Sequence, residues 1–342
     1  MRTELCERLG IEVPVIQAAM GGAGGPALAA AVSNAGGLGM LAVAFSPPEA
    51  VRDQIRKTRA LTRRPFGVNL ILDWPEEERL AVCLEEGVKI ISFFWGDSSP
   101  LAKMAHDAGA VVLHTVGSAD EARRAVQAGA DIIVAQGWEA GGHVRGTIAT
   151  LPLVTSVIDA VTPVPVVAAG GIADGRGLAA VLALGAAGAW IGTRFLASEE
   201  AAIHPRYQEL LLQAIDDSTV HTELFNVKWP HAPHRVLRNS TFEKWEAAGC
   251  PRSGQRPGEG EVIARSPTRG AAVRYQSSTP CPDYEGEIEG MSLWAGQGVG
   301  LVSRIHPAAE IVREIVADAA AALKRAAALA DKAGTAPDSD PT

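Results

Sequence analysis

Short apolar runs recur along the first two hundred residues and alternate with longer stretches that mix Ala and Leu with charged side chains. The runs are Val13–Ala18, Leu38–Val43, Phe66–Ile71, Lys89–Phe94, Val111–Thr115, Asp131–Ala135, Val164–Ala169 and Ala189–Thr193. They are too short for buried helices and apolar on both faces, the pattern of parallel strands covered on each side by helices. Helical stretches follow each one, at Pro26–Asn34, Pro47–Leu61, Pro75–Glu86, Pro100–Ala108, Ser118–Ala128, Leu151–Val161, Gly175–Gly185 and Glu199–Ile215. Pro26, Pro47, Pro75 and Pro100 suit a first helical turn, where a missing N–H costs little. Eight strand-then-helix units predict a (β/α)8 barrel of the TIM type.

The pattern breaks near residue 218. Gly, Pro, Arg and Ser cluster at Pro251–Gly260, and Trp229, Trp245, Tyr275, Tyr284 and Trp294 appear without periodicity. This stretch reads as a smaller second lobe over the barrel mouth. Ile305–Lys332 is Ala-rich and helical in pattern. The expected division is therefore 1–217 with 305–333 as barrel and closing helix, 218–304 as second lobe, and 334–342 as a disordered tail.

A chain of 342 residues can bury a large core. Its net charge of −8, with no long basic run, argues against a nucleic-acid or anionic-membrane partner. The uncharged stretch Gly177–Thr193 nears the length of a membrane span, but Gly185 and Gly188 interrupt it, and a helix followed by a strand explains it better. Cys6, Cys83, Cys250 and Cys281 are far apart, no C-x-x-C pair exists, and the start lacks a charged and then apolar leader. These features predict a reduced cytoplasmic protein without structural disulfides.

Candidate chemistry gathers where strands end in glycine. Asp131–Ala135 opens into Gln136-Gly137-Trp138-Glu139-Ala140-Gly141-Gly142-His143, Val166–Ala169 into Gly170-Gly171-Ile172, and Ala189–Ile191 into Gly192-Thr193-Arg194. Such junctions let backbone N–H groups and helix N-termini hold a phosphate. Gly171 and Gly192 permit close approach, Thr193 adds a hydroxyl, and Gln136 can both donate and accept. His143 is the side chain in this set best suited to proton exchange near neutral pH; its blander reading is a loop cap. Glu139 orients a neighbour or solvates the loop. His114 faces a substrate cavity or is a satisfied core histidine. Arg145 attracts an anion or forms an exposed ion pair. His231 and His234 have a spacing that a metal could use, but no Cys or acidic partner stands nearby, so no metal is expected. Gly22–Gly25 and Gly36–Gly39 lack the order of a dinucleotide fingerprint and read as turns.

The chain resembles the FMN-dependent nitronate monooxygenases, formerly called 2-nitropropane dioxygenases. The matching stretches are Pro14–Met20, Val32–Gly39, Gly67–Asn69, Gln136–His143, Ala169–Ile172, Gly192–Arg194 and Trp294–Gly300, in the expected order over nearly the whole chain. Ala19 departs from the family, which commonly has Pro before the Met. The resemblance implies FMN held by Gln136, Gly141, Gly142, Gly170, Gly171, Trp190, Ile191, Gly192 and Thr193, with Met20, Gly21 and Asn69 along the isoalloxazine. It places the catalytic histidine at His143 and leaves Trp138, Phe94 and Trp294 as apolar walls or structural residues. The implied reaction is oxidation of alkyl nitronates, or of nitroalkanes, by dioxygen to carbonyl compounds and nitrite. Partners would be that small molecule and dioxygen, with no nucleic acid and no membrane; a homodimer is compatible. Flavin enoyl reductases and quinone reductases look similar, so an NAD(P)H-dependent reductase acting on a quinone or enoyl thioester is the alternative. A flavin-binding regulatory module without turnover is a third reading, and it has no need of His143.

Overall fold

A computed structural model describes residues 1–333; the tail expected at 334–342 lies outside the described residues. The eight apolar runs form one parallel sheet, with strands Val15–Gln17, Gly39–Ala42, Phe66–Ile71, Ile90–Phe94, Val111–Val116, Ile132–Gln136, Val166–Ala169 and Gly188–Ile191. The first strand pairs with the eighth, and a parallel bridge from Ile16 to Leu38 joins it to the second. The sheet thus closes on itself, as predicted. Helices wrap it, and their apolar faces bury Leu28, Val32, Leu153, Val157, Leu178 and Val181 against the outward side chains of the strands.

Two elements differ from expectation. The stretch Glu199–Ile215 is helical only over Pro205–Gln213, where His204 caps the first turn through Nδ1. A short helix, Glu4–Leu9, was not anticipated; its Leu5, Cys6 and Leu9 plug the barrel floor against Ile16, Met40, Ile90 and Val167. The Ala-rich C-terminal helix runs from Ala308 to Ala333 and lies on the helix Gly175–Ala183. At that crossing a side chain on Gly175 would meet the backbone of Ala319. Among the described residues no helix is long and apolar enough to cross a membrane. All four cysteines are free, and only Cys250 is exposed.

The lobe contains two small antiparallel sheets. One pairs Thr219–Thr222 with His234–Leu237; the other sets Val262–Ser266 between Gly270–Val273 and Glu285–Gly286. Much of its interior is polar. Arg274, 2% exposed, bridges Glu261 at 2.9 Å and Glu287 at 2.8 Å, and buried Arg256 lies over the Tyr275 ring at 4.2 Å. Buried, paired arginines beside two small apolar clusters leave little hydrophobic period to read in the sequence.

Candidate active site

The sixth barrel strand ends at Gln136, and the loop beyond it returns as a two-residue strand, Gly142–His143. That strand pairs with the lobe: His143 opposes His234 and Gly142 opposes Arg235. The N–H of Val144 donates to Pro233 O at 2.9 Å, and Gln136 Nε2 donates to His143 O at 3.0 Å. Barrel and lobe therefore fix the His143 backbone together.

Aromatic rings surround its side chain. The imidazole lies 3.8 Å from the Trp229 ring, tilted by 33°, with Trp294 at 5.1 Å, His234 at 5.5 Å and Trp95 at 6.1 Å. Nε2 is buried and has no hydrogen-bond partner among the described residues. Burial, with a smaller contribution from His234, holds the His143 imidazole well below its ordinary pKa, so the ring is neutral. His234 is neutral as well, pushed down to about 4 by burial. Its Nδ1 lies 2.8 Å from Ala232 O and its Nε2 accepts from Phe225 N–H at 3.3 Å, so both nitrogens are in use. His234 is a wall of the site, and His231 is an exposed loop residue.

Glu139 is a clamp between loops. Its Oε2 accepts from the Thr150 N–H at 2.8 Å and from the Thr150 hydroxyl at 2.9 Å, and that hydroxyl lies 3.1 Å from Gly170 O. Trp138 turns to the lobe: buried Arg235 sits 4.5 Å over its ring and donates to its carbonyl at 2.9 Å.

Open space appears at particular glycines. A Cβ placed on Gly21 or Gly142 would meet nothing within 4 Å. At Gly192 the nearest atom would be Ala18 Cβ at 3.5 Å, and at Gly171 Glu139 Cβ at 3.4 Å. These four residues follow strands one, six, seven and eight, which are neighbours in the barrel. Gly171 also has φ +69°, a conformation that a side chain would strain. Gly141 and Gly170 are different. A Cβ on Gly141 would run into the Gly296 backbone, and one on Gly170 would sit 2.9 Å from Thr150 Oγ1. Their missing side chains make room for protein.

Polar groups edge this space. Thr193 Oγ1 accepts from Gly296 N–H at 2.9 Å and keeps its own proton to donate. Thr193 begins the turn Thr193–Leu196, whose N-cap Gly192 supplies no side-chain acceptor, whereas Asp174 caps the preceding helix by accepting from Arg176 and Gly177 N–H. Met20 lies beside Gly192, and its Sδ would be 3.8 Å from a Cβ there. Asn69 is buried near the end of the third strand. Trp190 packs toward the barrel interior and Ile191 toward the helices. Glycines with room beside them on neighbouring loops, a hydroxyl with a proton to donate and a turn without a side-chain cap are features that suit a phosphate.

The other candidates fall around this centre. Trp294 is at it, while Phe94 reaches it through Trp95, whose ring is 4.2 Å away. His114 lines a cavity of about 410 Å³ that also touches Trp95 and Arg145. Its Nδ1 is 3.0 Å from Ser98 Oγ, and burial pushes it down to about 4. Arg145 pairs with Glu121 at 3.3 Å. Sequence reading missed Trp95, Trp229 and His234 as walls and Asp73, whose Oδ2 accepts from Trp229 Nε1 at 2.8 Å. A signal existed: Phe45, Trp74 and Trp95 stand in the loops after strands two, three and four.

The sequence profile of the nitronate monooxygenases matches residues 2–79 and 74–318. The chain is 37% identical to a (3aS,4S,5R,7aS)-5-hydroxy-7a-methyl-1-oxo-octahydro-1H-indene-4-carboxyl-CoA dehydrogenase of Mycobacterium tuberculosis, over 97% of this chain and 99% of that protein. It is 34% identical to a nitronate monooxygenase of Paraburkholderia phytofirmans, over 90% of this chain and 92% of that one. Among solved structures, FabK from Thermotoga maritima superposes with a TM-score of 0.83 at 35% identity, covering 96% of this chain and 99% of its own.

Proposed function

The chain belongs to the nitronate monooxygenase family of flavin-dependent oxidoreductases, and from that premise we propose that it binds FMN and oxidises small carbon acids of the nitroalkane type. Alkyl nitronates and their neutral nitroalkanes would go to carbonyl compounds and nitrite, with dioxygen as oxidant. For nitronates the atoms balance when two nitronates and one dioxygen give two carbonyl compounds and two nitrites.

The observation that carries this reading is His143 Nε2, buried without a hydrogen-bond partner among the described residues, with the Trp229 ring at 3.8 Å and the Trp294 ring at 5.1 Å. FMN, when bound, supplies the electron acceptor. Gly171, Gly192 and Thr193 would hold its phosphate, and Gln136, Met20, Gly21 and Asn69 its ring system. His143 would act as the base toward the α-carbon of a neutral nitroalkane. The aromatic walls exclude water from that carbon. A base in this position has no use in a regulatory module.

A second reading is favoured by the similarity to a CoA dehydrogenase and to FabK. There the same base would serve a carbon next to a thioester carbonyl. Anaerobic mixing of the yellow protein with nitroalkane, nitronate, an acyl-CoA or NADH separates the readings by which one bleaches the flavin. His143→Asn is expected to keep its flavin and to lose about 10²–10⁴-fold in nitroalkane turnover, with a smaller loss on preformed nitronate. Bleaching by NADH or acyl-CoA alone would move the assignment to the second reading.

A further inference from the structure

Trp229 comes from a lobe loop far from the barrel in sequence, yet its ring makes the nearest aromatic contact to His143, at 3.8 Å. It is 4% exposed. Its indole N–H donates to Asp73 Oδ2 at 2.8 Å, across to the loop after the third barrel strand. Trp74 from that loop also meets the indole, edge to face at 4.8 Å, and Phe45 meets it at 6.0 Å. The loop carrying Trp229 has left-handed backbone at Lys228 (φ 78°) and His231 (φ 58°), and Trp95 beneath it has φ 66°. Non-glycine residues adopt this conformation when their surroundings over-determine it, which is common beside functional sites.

We propose that Trp229 is the positioning residue of His143 and that its hydrogen bond to Asp73 is the latch that keeps the indole on the imidazole. The inference rests on the reading of His143 as the base. The latch would couple a barrel loop that touches no reacting atom to the ring that does the chemistry. With the latch closed, the imidazole is stacked, shielded from water and held neutral. With it open, the Trp229 loop loses its fixed point on the barrel and water reaches the ring.

The titratable neighbours that bear on the test are few. His234 lies across the strand pair at 5.5 Å, His221 acts on His234, and Asp73 stands behind the indole. Charge and latch then predict opposite signs. Removing the Asp73 carboxylate by electrostatics alone would lower the His143 pKa, because an anion favours imidazolium. Opening the latch would raise it, because hydration of the ring returns.

Nuclear magnetic resonance titration of labelled histidine in the purified protein, with and without added FMN, reads this directly. Asp73→Ala should raise the His143 midpoint by about one pH unit. Trp229→Phe, which keeps a ring and loses the N–H, should do the same. Asp73→Asn retains an acceptor but loses the charge, so its midpoint should stay at or slightly below the parent's and should not rise. Circular dichroism and melting of each variant confirm that it folds. A midpoint that stays put or falls in Asp73→Ala, or an Asp73→Asn shift equal to that of Asp73→Ala, overturns the latch. Loss of the base reading would show separately, as full activity in His143→Asn with the titration results intact.

Discussion

The two halves of the site are made in opposite ways. The barrel half, on the loops after strands six, seven, eight and one, is made of missing side chains: Gly142, Gly171, Gly192 and Gly21 leave open space. The lobe half is made of bulk: Trp229, His234 and Trp294 fill the other side around His143. The seam between them is closely packed, with Gly141 against Gly296 and Gln297 N–H donating to Glu139 O at 2.9 Å. An opening bounded by backbone accepts one shape of ligand, and few substitutions leave it intact. A wall of rings on loops can be redrawn one residue at a time without disturbing the scaffold.

The largest test of the contrast is Gly192→Val. Gly192 has φ −106°, which a branched residue tolerates, and the nearest protein atom to its Cβ would be 3.5 Å away. The fold should therefore survive, by circular dichroism, while bound flavin and all turnover are lost. Gly171→Val is less clean, because at φ +69° backbone strain adds to any loss of ligand space. Normal flavin content in the Gly192 variant would mean that the phosphate does not use this opening.

Trp294→Phe probes the lobe half and should have a smaller effect. Phe retains the backbone carbonyl that Tyr207 uses and loses the indole N–H bonded to Thr279 Oγ1 at 3.0 Å. Flavin content should be unchanged. kcat/KM should fall by about tenfold and by different factors for substrates of different bulk, as expected when one apolar wall recedes. If flavin leaves together with activity, the halves are not separable and the comparison breaks.

The same contrast decided what could be read from the chain. Barrel strands announce themselves because each is buried on both faces, and the ends of Phe66–Ile71 agree with the structure residue for residue. Glycine is also legible where a strand stops, which is what singles out Gly171 and Gly192 in the chain. Glycine alone does not say whether ligand or protein fills the gap, so Gly141 and Gly170 looked the same as Gly142 until the packing was known. The strand Gly142–His143 was invisible because two residues carry no period and its partner, His234–Leu237, lies some ninety residues on. Trp229 could not be placed because its position depends on Asp73, from another loop. Contacts between loops leave no local pattern.

The smallest expected effect concerns stability in mild acid, and it sets a buried barrel histidine against a buried acid on another loop. His114 is held at about 4 against an ordinary 6.5. Between those values the unfolded chain binds a proton that the folded one refuses, so its contribution is lost as pH falls from 6.5 toward 4. Glu76, on the loop after the third strand, is 1% exposed, with one oxygen unpartnered and the other 3.2 Å from Arg79. Burial raises it to about 7, so the folded state takes up its proton first and gains stability as pH falls from 7 to about 4.5. The two act in opposite directions over the same range and offset one another, while His143 and His234, also held down by burial, add to the loss in acid. His234 works with His114, but its two hydrogen bonds make it a poor site to replace. His114→Asn keeps a polar partner for Ser98 and should make the protein relatively more stable at pH 5; Glu76→Gln keeps an acceptor for Arg79 and should make it relatively less stable there. Each shift should be on the order of a few degrees in Tm. Equal changes in both variants, or none in either, would mean that water reaches these groups and that the barrel loops are looser than their packing indicates.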